Sequence, residues 1–165
     1  MNGLFHPANN IIAQLIPMGV GGAVKNGINI SLKNVHRAFI VCVIEQGADA
    51  TQTTFTLQQS SGNAGSAAGT GEKALTNTVD LYYNENCALS NLLTKGTAAK
   101  SYQTDINQSR TKMVVFDVIP EQCMDLAGGF DCLVVNTSDP AAANVAAAFA
   151  ILVPRYGPLP TVFSD

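Results

Sequence analysis

The stretch INISLKNVHRAFIVCVIEQG, residues 28–47, decides the fold class. Its first part alternates apolar Ile28, Ile30 and Leu32 with polar residues, which is the period of a half-buried β-strand. It then runs through six consecutive apolar residues, 39–44, most of them β-branched or aromatic. Such a run is typical of a strand that is covered on both faces. We therefore predict a β-protein with its central strand in this stretch.

The chain that follows continues in strands and polar loops. Residues 51–59 alternate apolar with polar positions and predict another strand. Residues 60–71, SSGNAGSAAGTG, form a low-complexity loop, because nothing in them can pack. Residues 72–83 return to a strand, and the polar stretch 84–110 is expected to hold loops with one or two short strands.

A strand–helix–strand unit occupies MVVFDVIPEQCMDLAGGFDCLVV, residues 113–135. The first strand covers residues 112–119. Pro120 then suits the first position of a short helix, and Gly128 suits the position just past its end. The next strand covers residues 130–136.

Residues 140–153 favour two structures at once. Alanine is the strongest helix former, and residues 141–150 are rich in it. Residues 145–153, however, alternate Ala with Val, Phe and Ile, which favours a strand. The alanine face of such a strand is flat and would pack closely against another sheet of the same domain or against a second subunit.

These elements predict an all-β protein, namely an antiparallel β-sandwich or a jelly roll, with six to eight strands and one short helix. A parallel sheet is excluded because its crossovers need several helices. A length of 165 residues suits one sandwich domain, which we place at residues 27–165.

The composition excludes several classes of protein. Nine Lys and Arg against twelve Asp and Glu are too few positive charges for a nucleic-acid binder. A window of about 18 apolar residues, as a membrane span needs, is missing, so we expect no membrane partner. Only 13% of the residues are charged, whereas 44 are Ser, Thr, Asn or Gln. Such a surface is cheaper to dehydrate than a charged one and suits a protein that is covered by partners.

The four cysteines, Cys42, Cys87, Cys123 and Cys132, show no metal-ligand spacing. We therefore expect no metal and no cofactor. Cys42 and Cys132 lie in apolar runs and are interpreted as buried free thiols, although a disulfide stays open. The first residues do not fit a secretory signal, which favours synthesis and assembly in a cytosol.

Residues 1–26 are interpreted as an extended N-terminal arm, because Pro17 and several glycines interrupt them. The alternative is an N-terminal strand that folds back on the same domain. Apolar residues in the arm and in the C-terminal tail have no obvious place in a sandwich core and are the candidate interaction residues. They are Phe5, Ile11, Ile12, Leu15, Ile16, Tyr156, Leu159 and Phe163. Deleting residues 1–22 is accordingly expected to leave the fold intact.

Candidates for catalysis are few, and we expect the chain not to be an enzyme. His6 and His36 lie in no recognisable arrangement with a nucleophile and an acid. Asp117 is unexpected, because it lies on the apolar face of a strand and needs a partner, for which Arg110, Lys112 or Arg155 would serve. With Asp131 on an adjacent strand it would form a carboxylate pair, as glycosidases and metal sites use, but an ion-paired structural role is favoured.

Several segments together resemble a family of tailed bacteriophages, the minor capsid or head-decoration (cement) proteins. They are INISLKNVHRAFIVCVIEQG, TQTTFTLQQS, MVVFDVIPEQCMDLAGGFDCLVV and AAFAILVPRYGPLP. The resemblance covers about residues 27–160 and consists of pattern and segment order. Its most specific pieces are DLAGGF at 125–130 and PRYGP at 154–158, and the N-terminal arm is not part of it.

The resemblance implies a jelly-roll sandwich that coats a capsid, and with it a strand over residues 140–153. It implies a virion protein on the capsid surface, assembled in the cytoplasm of the bacterial host. Its partners would be the major capsid protein and further copies of itself, as a dimer or trimer. The alternatives are a head–tail or tail structural protein and a carbohydrate-binding sandwich, although the absence of Trp argues against sugar stacking.

Overall fold

The computed structural model describes residues 11–20, 25–47, 52–61, 71–106, 110–138 and 144–156, with the backbone alone for those before residue 27. The strands in these ranges are β1 (Ile11–Val20), β2 (Lys25–Asn26), β3 (Ile30–Ser31), β4 (Val35–Gln46), β5 (Thr54–Ser60), β6 (Lys73–Ala74), β7 (Asp80–Asn84), β8 (Thr94–Lys95), β9 (Ser101–Gln103), β10 (Arg110–Val118), β11 (Cys132–Thr137) and β12 (Val145–Pro154). A short helix, α1 (Pro120–Cys123), and a 3-10 turn, Leu126–Gly128, connect β10 with β11.

The strands form two antiparallel sheets. Sheet A has the order β1-β12-β4-β10-β7-β8, and sheet B has the order β2-β11-β5-β6. In sheet B, β2 and β3 both pair with the edge of β11 that faces away from β5. Likewise, β6 and β9 both pair with the edge of β5 that faces away from β11.

The chain crosses repeatedly between the two sheets. Four strands of sheet A, in the order β1, β12, β4 and β10, face four positions of sheet B. Those positions are occupied by β2 with β3, by β11, by β5, and by β6 with β9. This is the eight-strand arrangement of a jelly roll. The pair β7–β8 extends sheet A beyond it. The predicted antiparallel sandwich of jelly-roll type is confirmed.

The core lies between the sheets and follows the two-residue period of the strands. In β4 the even-numbered residues from Ala38 to Ile44 are fully buried. In β5 the buried apolar residues are Phe55 and Leu57, as the alternation predicts. The same cluster includes Val114 and Phe116 of β10, Leu133 and Val135 of β11, and Ala146, Ala148, Ala150 and Leu152 of β12.

The prediction that residues 39–44 are covered on both faces is wrong. Sheet B buries Ile40, Cys42 and Ile44, whereas Phe39 and Val43 on the opposite side remain half-exposed. A continuous apolar run also arises where a strand buries one face in the core and presents apolar side chains on its other, half-exposed face.

The strand over the alanine-rich segment is confirmed in its described part, residues 145–154. It pairs with β4 along its whole length, which overrides the helix propensity of alanine. The alanine face packs into the core of the same domain. Of the two alternatives that the sequence left open for this face, the structure shows packing within the same domain, and packing against a second subunit is not what this face forms.

The interpretation of residues 11–20 as an arm is corrected, because β1 pairs antiparallel with β12 as the edge strand of sheet A. The register shifts between Gln14 and Ile16 and again between Ile16 and Gly19. Pro17 lies in the second shift, and an edge strand tolerates proline at such a bulge because no ladder hydrogen bond is lost there. The alternative of a strand folded back on the domain is what this part of the chain forms.

Two further local predictions need correction. Residues 72–83 form two short strands in different sheets, β6 and β7, because the chain crosses the sandwich between the buried Leu75 and Val79. The helix ends earlier than expected, at Cys123. After it, the Asp125 side chain accepts a hydrogen bond from the Gly128 N–H, and Gly129, with φ +80°, ends the 3-10 turn.

Candidate interaction surfaces

The side of sheet A that faces away from sheet B carries a continuous group of half-exposed apolar side chains. We call this group the apolar outer face, and it consists of Phe39, Val41 and Val43 of β4, Met113 and Val115 of β10, and Phe149 and Ile151 of β12. Val41 lies at its centre, where it is directly opposite both Val115 and Phe149. Its neighbours shield it, so that only 8% of Val41 is exposed.

Ion pairs border the apolar outer face at one end. The Arg37 guanidinium donates two hydrogen bonds to the Asp117 carboxylate, one of them from Nε to Oδ1 at 2.6 Å. Its hydrogen bond to Asp117 raises the pKa of Arg37. Asp80 pairs with Asp117 across the β7–β10 ladder, and the Lys95 ammonium donates to Asp80 at 2.9 Å. Two positive and two negative charges thus alternate with no excess of either sign.

The partner of Asp117 is therefore Arg37, and the prediction of Arg110, Lys112 or Arg155 is wrong. Arg37 precedes Phe39 by two residues on the same side of β4, and Phe39 is directly opposite Asp117. The antiparallel register brings the two charges together across 80 positions of sequence. The favoured reading of Asp117 as an ion-paired structural residue agrees with this geometry.

The opposite end of the apolar outer face is also polar. Glu45 of β4 is exposed there and accepts a hydrogen bond from the Thr111 hydroxyl of β10. An apolar centre with a polar border is the usual composition of a surface that binds another protein.

A second surface lies at the same end of the sandwich as Glu45. Residues 85–93, which we call the leucine loop, connect β7 with β8 and carry three apolar side chains into solvent. Leu89 is 83% exposed, Leu92 is 75% exposed and Leu93 is 43% exposed. Ile106, also exposed, precedes β10 at this end.

Hydrogen bonds of polar side chains and backbone hold the leucine loop in one conformation. The Asn84 amide donates to the Ser90 carbonyl at 2.6 Å, and the Ser90 hydroxyl accepts from the Leu92 N–H at 3.1 Å. The Cys87 N–H donates to the Thr111 carbonyl at 2.9 Å, which attaches the loop to β10. The polar residues thereby fix where the leucines point.

A buried ionic cluster supports the base of the leucine loop. Lys112 is 1% exposed, and its Nζ lies 3.3 Å from Glu85 Oε2 and 2.5 Å from the Asp105 carbonyl. The Tyr102 hydroxyl donates to Glu85 Oε1 at 2.5 Å. Burial, together with this hydrogen bond to Glu85, raises the pKa of Tyr102. The cluster ties the loop to β9 and β10.

Five of the eight predicted interaction residues lie in the described part of the chain, in or next to the paired strands β1 and β12. Tyr156 is exposed just after β12, at the end opposite to the leucine loop. The backbone of β1 includes four more, Ile11, Ile12, Leu15 and Ile16. The other three, Phe5, Leu159 and Phe163, lie outside the described residues.

The sequence contained a signal for only one of the two surfaces. For the apolar outer face, the run 39–44 and the alternation in β12 indicate that both sides of these strands are apolar. The run alone does not distinguish burial of both sides from burial of one side with the other exposed. The leucines at 89, 92 and 93 lie in a polar stretch with no period, so their exposure was not predictable.

The geometry separates the two candidate carboxylates. Asp117 belongs to sheet A, whereas Asp131 precedes β11 of sheet B, so they do not lie on adjacent strands as expected. Within the described ranges, no group of three or more His, Cys, Asp or Glu side chains is placed to hold a metal ion. A cavity of about 230 Å³ is lined by Arg37, Asp117 and Asp80. Arg37 and Asp117 are paired with each other, and Asp80 is paired with Lys95.

All four cysteines are free. Burial raises the pKa of the Cys42 and Cys87 thiols, and it raises that of Cys123 to about 11. These three thiols are therefore protonated at neutral pH. None of the helices in the described part of the chain has the length and apolarity that crossing a membrane requires.

No protein-family model matches this chain, and no curated protein matches it. Among solved structures, the crystal structure of the SPBc2 prophage-derived protein YomS is similar, with a TM-score of 0.42 and 10% sequence identity. The alignment covers 92% of this chain and 99% of that one. At this identity and TM-score, the similarity carries no conclusion about the function of this chain.

Proposed function

We propose that this chain is a structural virion protein that binds the outer surface of a bacteriophage capsid and stabilises it, as a decoration or cement protein does. The resemblance of its segments to that family supports the proposal, and the jelly-roll fold is the one that the resemblance implies. The partner is the major capsid protein, the location is the surface of the virion, and no catalytic step is involved.

The leucine loop is the observation that carries the proposal. Leu89 and Leu92 expose most of their surface to water, which is unfavourable unless a partner covers them. The hydrogen bonds that the Asn84 amide donates and the Ser90 hydroxyl accepts already order the backbone of the loop. Binding through such a loop loses little conformational entropy, so most of the hydrophobic gain appears as affinity.

Stabilisation of the shell follows from mass action. A protein that binds the assembled shell and not its free subunits adds its binding free energy to the assembled state. At a free concentration of 100 times Kd, each site contributes about 2.7 kcal/mol. Repetition of such a contact over a lattice makes a modest interface sufficient.

The first test is the copy number of this chain in virions of the phage that encodes it, by quantitative mass spectrometry against the major capsid protein. A ratio near one, or a simple fraction of it, is expected. A dozen copies or fewer would instead place the chain at the portal or tail, which is the alternative structural role. Absence from virions would overturn the proposal.

A second test addresses the leucine loop. Purified shells without this chain are incubated with the wild-type protein or with a Leu89→Ser/Leu92→Ser variant, and binding is measured by cosedimentation. Each exposed leucine lost costs about 1–2 kcal/mol of binding, so affinity should fall by tenfold or more. The control is Leu126→Ser, which removes an exposed leucine at the opposite end. Equal binding by all three proteins would contradict the role of the loop.

A further inference from the structure

We propose that two copies of this chain pair through their apolar outer faces, with the strands of the two copies antiparallel. The inference goes beyond capsid binding and holds whether or not the chain binds a shell. It rests on the extent of the face, on its self-complementary charge and on its separation from the leucine loop.

The face is large enough to form an interface. Strands spaced about 4.8 Å apart, with a rise of about 3.3 Å per residue, make it roughly 15 Å wide and, from Arg37 to Glu45, roughly 25 Å long. Pairing two such faces, polar ends included, buries roughly 800 Å², which suits a weak, concentration-dependent contact. An apolar patch of this extent is about as large as the largest one on a typical monomeric protein, and that largest patch is often a functional surface.

The charges at its two ends favour a second copy as the occupant. One end carries the guanidinium of Arg37, whose side chain is 42% exposed, whereas that of its partner Asp117 is only 6% exposed. The other end carries the exposed carboxylate of Glu45. Arg37 and Glu45 lie four positions either side of Val41 on the same side of β4. When two copies pair with antiparallel strands, the Arg37 guanidinium of each therefore lies near Glu45 of the other, and two-fold symmetry repeats the contact.

The pairing leaves the leucine loop accessible. The loop lies at the end of the sandwich and not on the outer side of sheet A, so pairing does not cover it. In the antiparallel arrangement the two leucine loops of a dimer lie at opposite ends of the assembly. Each dimer then presents two separate apolar contacts.

The experiment is sedimentation equilibrium on the full chain at 1–100 µM, a range of about two decades around the Kd of a modest interface. Wild type should approach twice the chain mass of 17.3 kDa. Val115→Lys places a charge at the centre of the face and should sediment as a folded monomer, with Kd raised at least a hundredfold. The matched control is Thr56→Lys on the outer side of sheet B, which should remain dimeric.

Two results would overturn the proposal. One is a wild-type chain that stays monomeric over this range. The other is a Val115→Lys variant that keeps its β-sheet circular dichroism and still dimerises as wild type does. Both results are measured on the purified chain in the absence of capsid shells, so they are independent of the capsid-binding tests.

Disulfide trapping tests the orientation of the two copies. In a Cys87→Ser background, a chain with Glu45→Cys is mixed with a chain with Arg37→Cys and oxidised. A covalent heterodimer should form in preference to either homodimer, because the antiparallel pairing brings these two positions together. Preferential trapping of the Glu45→Cys homodimer would overturn the antiparallel arrangement.

Discussion

Asp117 shows how one residue can be recognised from sequence while its partner cannot. A carboxylate on the apolar side of a strand needs a counter-charge, so the sequence identifies it as unusual. Its partner is Arg37, 80 positions away, and only the register of β4 against β10 brings the two together. The pair neutralises one end of the apolar outer face, where an unpaired charge would oppose association.

Asp117→Asn is expected to lower the free energy of unfolding by about 1–3 kcal/mol, because it removes a charge-assisted pair around a nearly buried group. Asp80→Asn, which disturbs the exposed pair with Lys95, should cost less than about 1 kcal/mol. Urea unfolding followed by circular dichroism measures both. Equal losses would contradict the distinction between the two pairs.

Tyr102 makes stability depend on alkaline pH. Its pKa in the folded chain is raised above the ordinary value of 10, so folding favours the protonated hydroxyl. The contribution is complete below pH 10 and is lost as the pH rises above that value, since the unfolded chain then releases the proton first. Urea midpoints measured from pH 8 to 11.5 should fall at the alkaline end, and less so in Tyr102→Phe.

The exposed Tyr156 provides the control for this effect. Tyr156→Phe should reproduce the wild-type pH dependence, because Tyr156 is largely exposed and lies apart from the Tyr102–Glu85 hydrogen bond. An identical alkaline loss in Tyr102→Phe and wild type would assign the effect to other groups.

At the scale of one element, the pairing of β12 with its neighbouring strands overrides the local helix propensity of its alanines. Its small residues alternate between core and surface, with Ala148 1% exposed and Ala147 half-exposed on the opposite side. Small side chains leave room for the large ones of sheet B, such as Phe55 and Leu57. The flat alanine face is thus a packing feature of the core.

Ala148→Leu should destabilise the protein by about 1–3 kcal/mol, because it adds volume to a filled core. Ala147→Leu, the same substitution one position earlier, should change stability by less than about 0.5 kcal/mol. Thermal or urea unfolding at a concentration that keeps the chain monomeric provides the comparison. A larger loss for Ala147→Leu would reverse the assigned orientation of β12.

At the scale of the whole molecule, the sandwich separates its surfaces by position. The apolar outer face lies on one side of sheet A, and the leucine loop lies at one end. In the arrangement we propose, the first joins copies and the second contacts a shell. A dimer then gains from two simultaneous contacts, which raises its apparent affinity for a lattice without any new interaction.

Deleting residues 1–22 tests how much β1 contributes to the stability of the sandwich. The deletion removes β1 and leaves the edge of β12 unpaired, so the urea midpoint should fall clearly and aggregation should increase. Deletion of residues 1–10 keeps β1 and provides the control. An unchanged midpoint in the longer deletion would restore the interpretation of the segment as an arm.

By itself, the sequence determined the fold class. Hydrophobic alternation depends only on neighbouring residues, so β5, β10 and β11 were readable directly, and the scarcity of helical patterns excluded a parallel sheet. The jelly-roll type and the strand over residues 140–153 came from the resemblance, and the strand order came from the structure alone. Local pattern alone left that segment undecided between helix and strand.

Only the tertiary structure decided what the strands pair with and which sides they bury. Pairing of β1 with β12 joins the two ends of the chain, and no local pattern encodes a contact at that separation. The register of β4 decides that Arg37 meets Asp117 and that Phe39 faces outward. Exposure of Leu89 and Leu92 depends on hydrogen bonds that hold a loop away from the core, whereas hydrophobicity alone would predict burial.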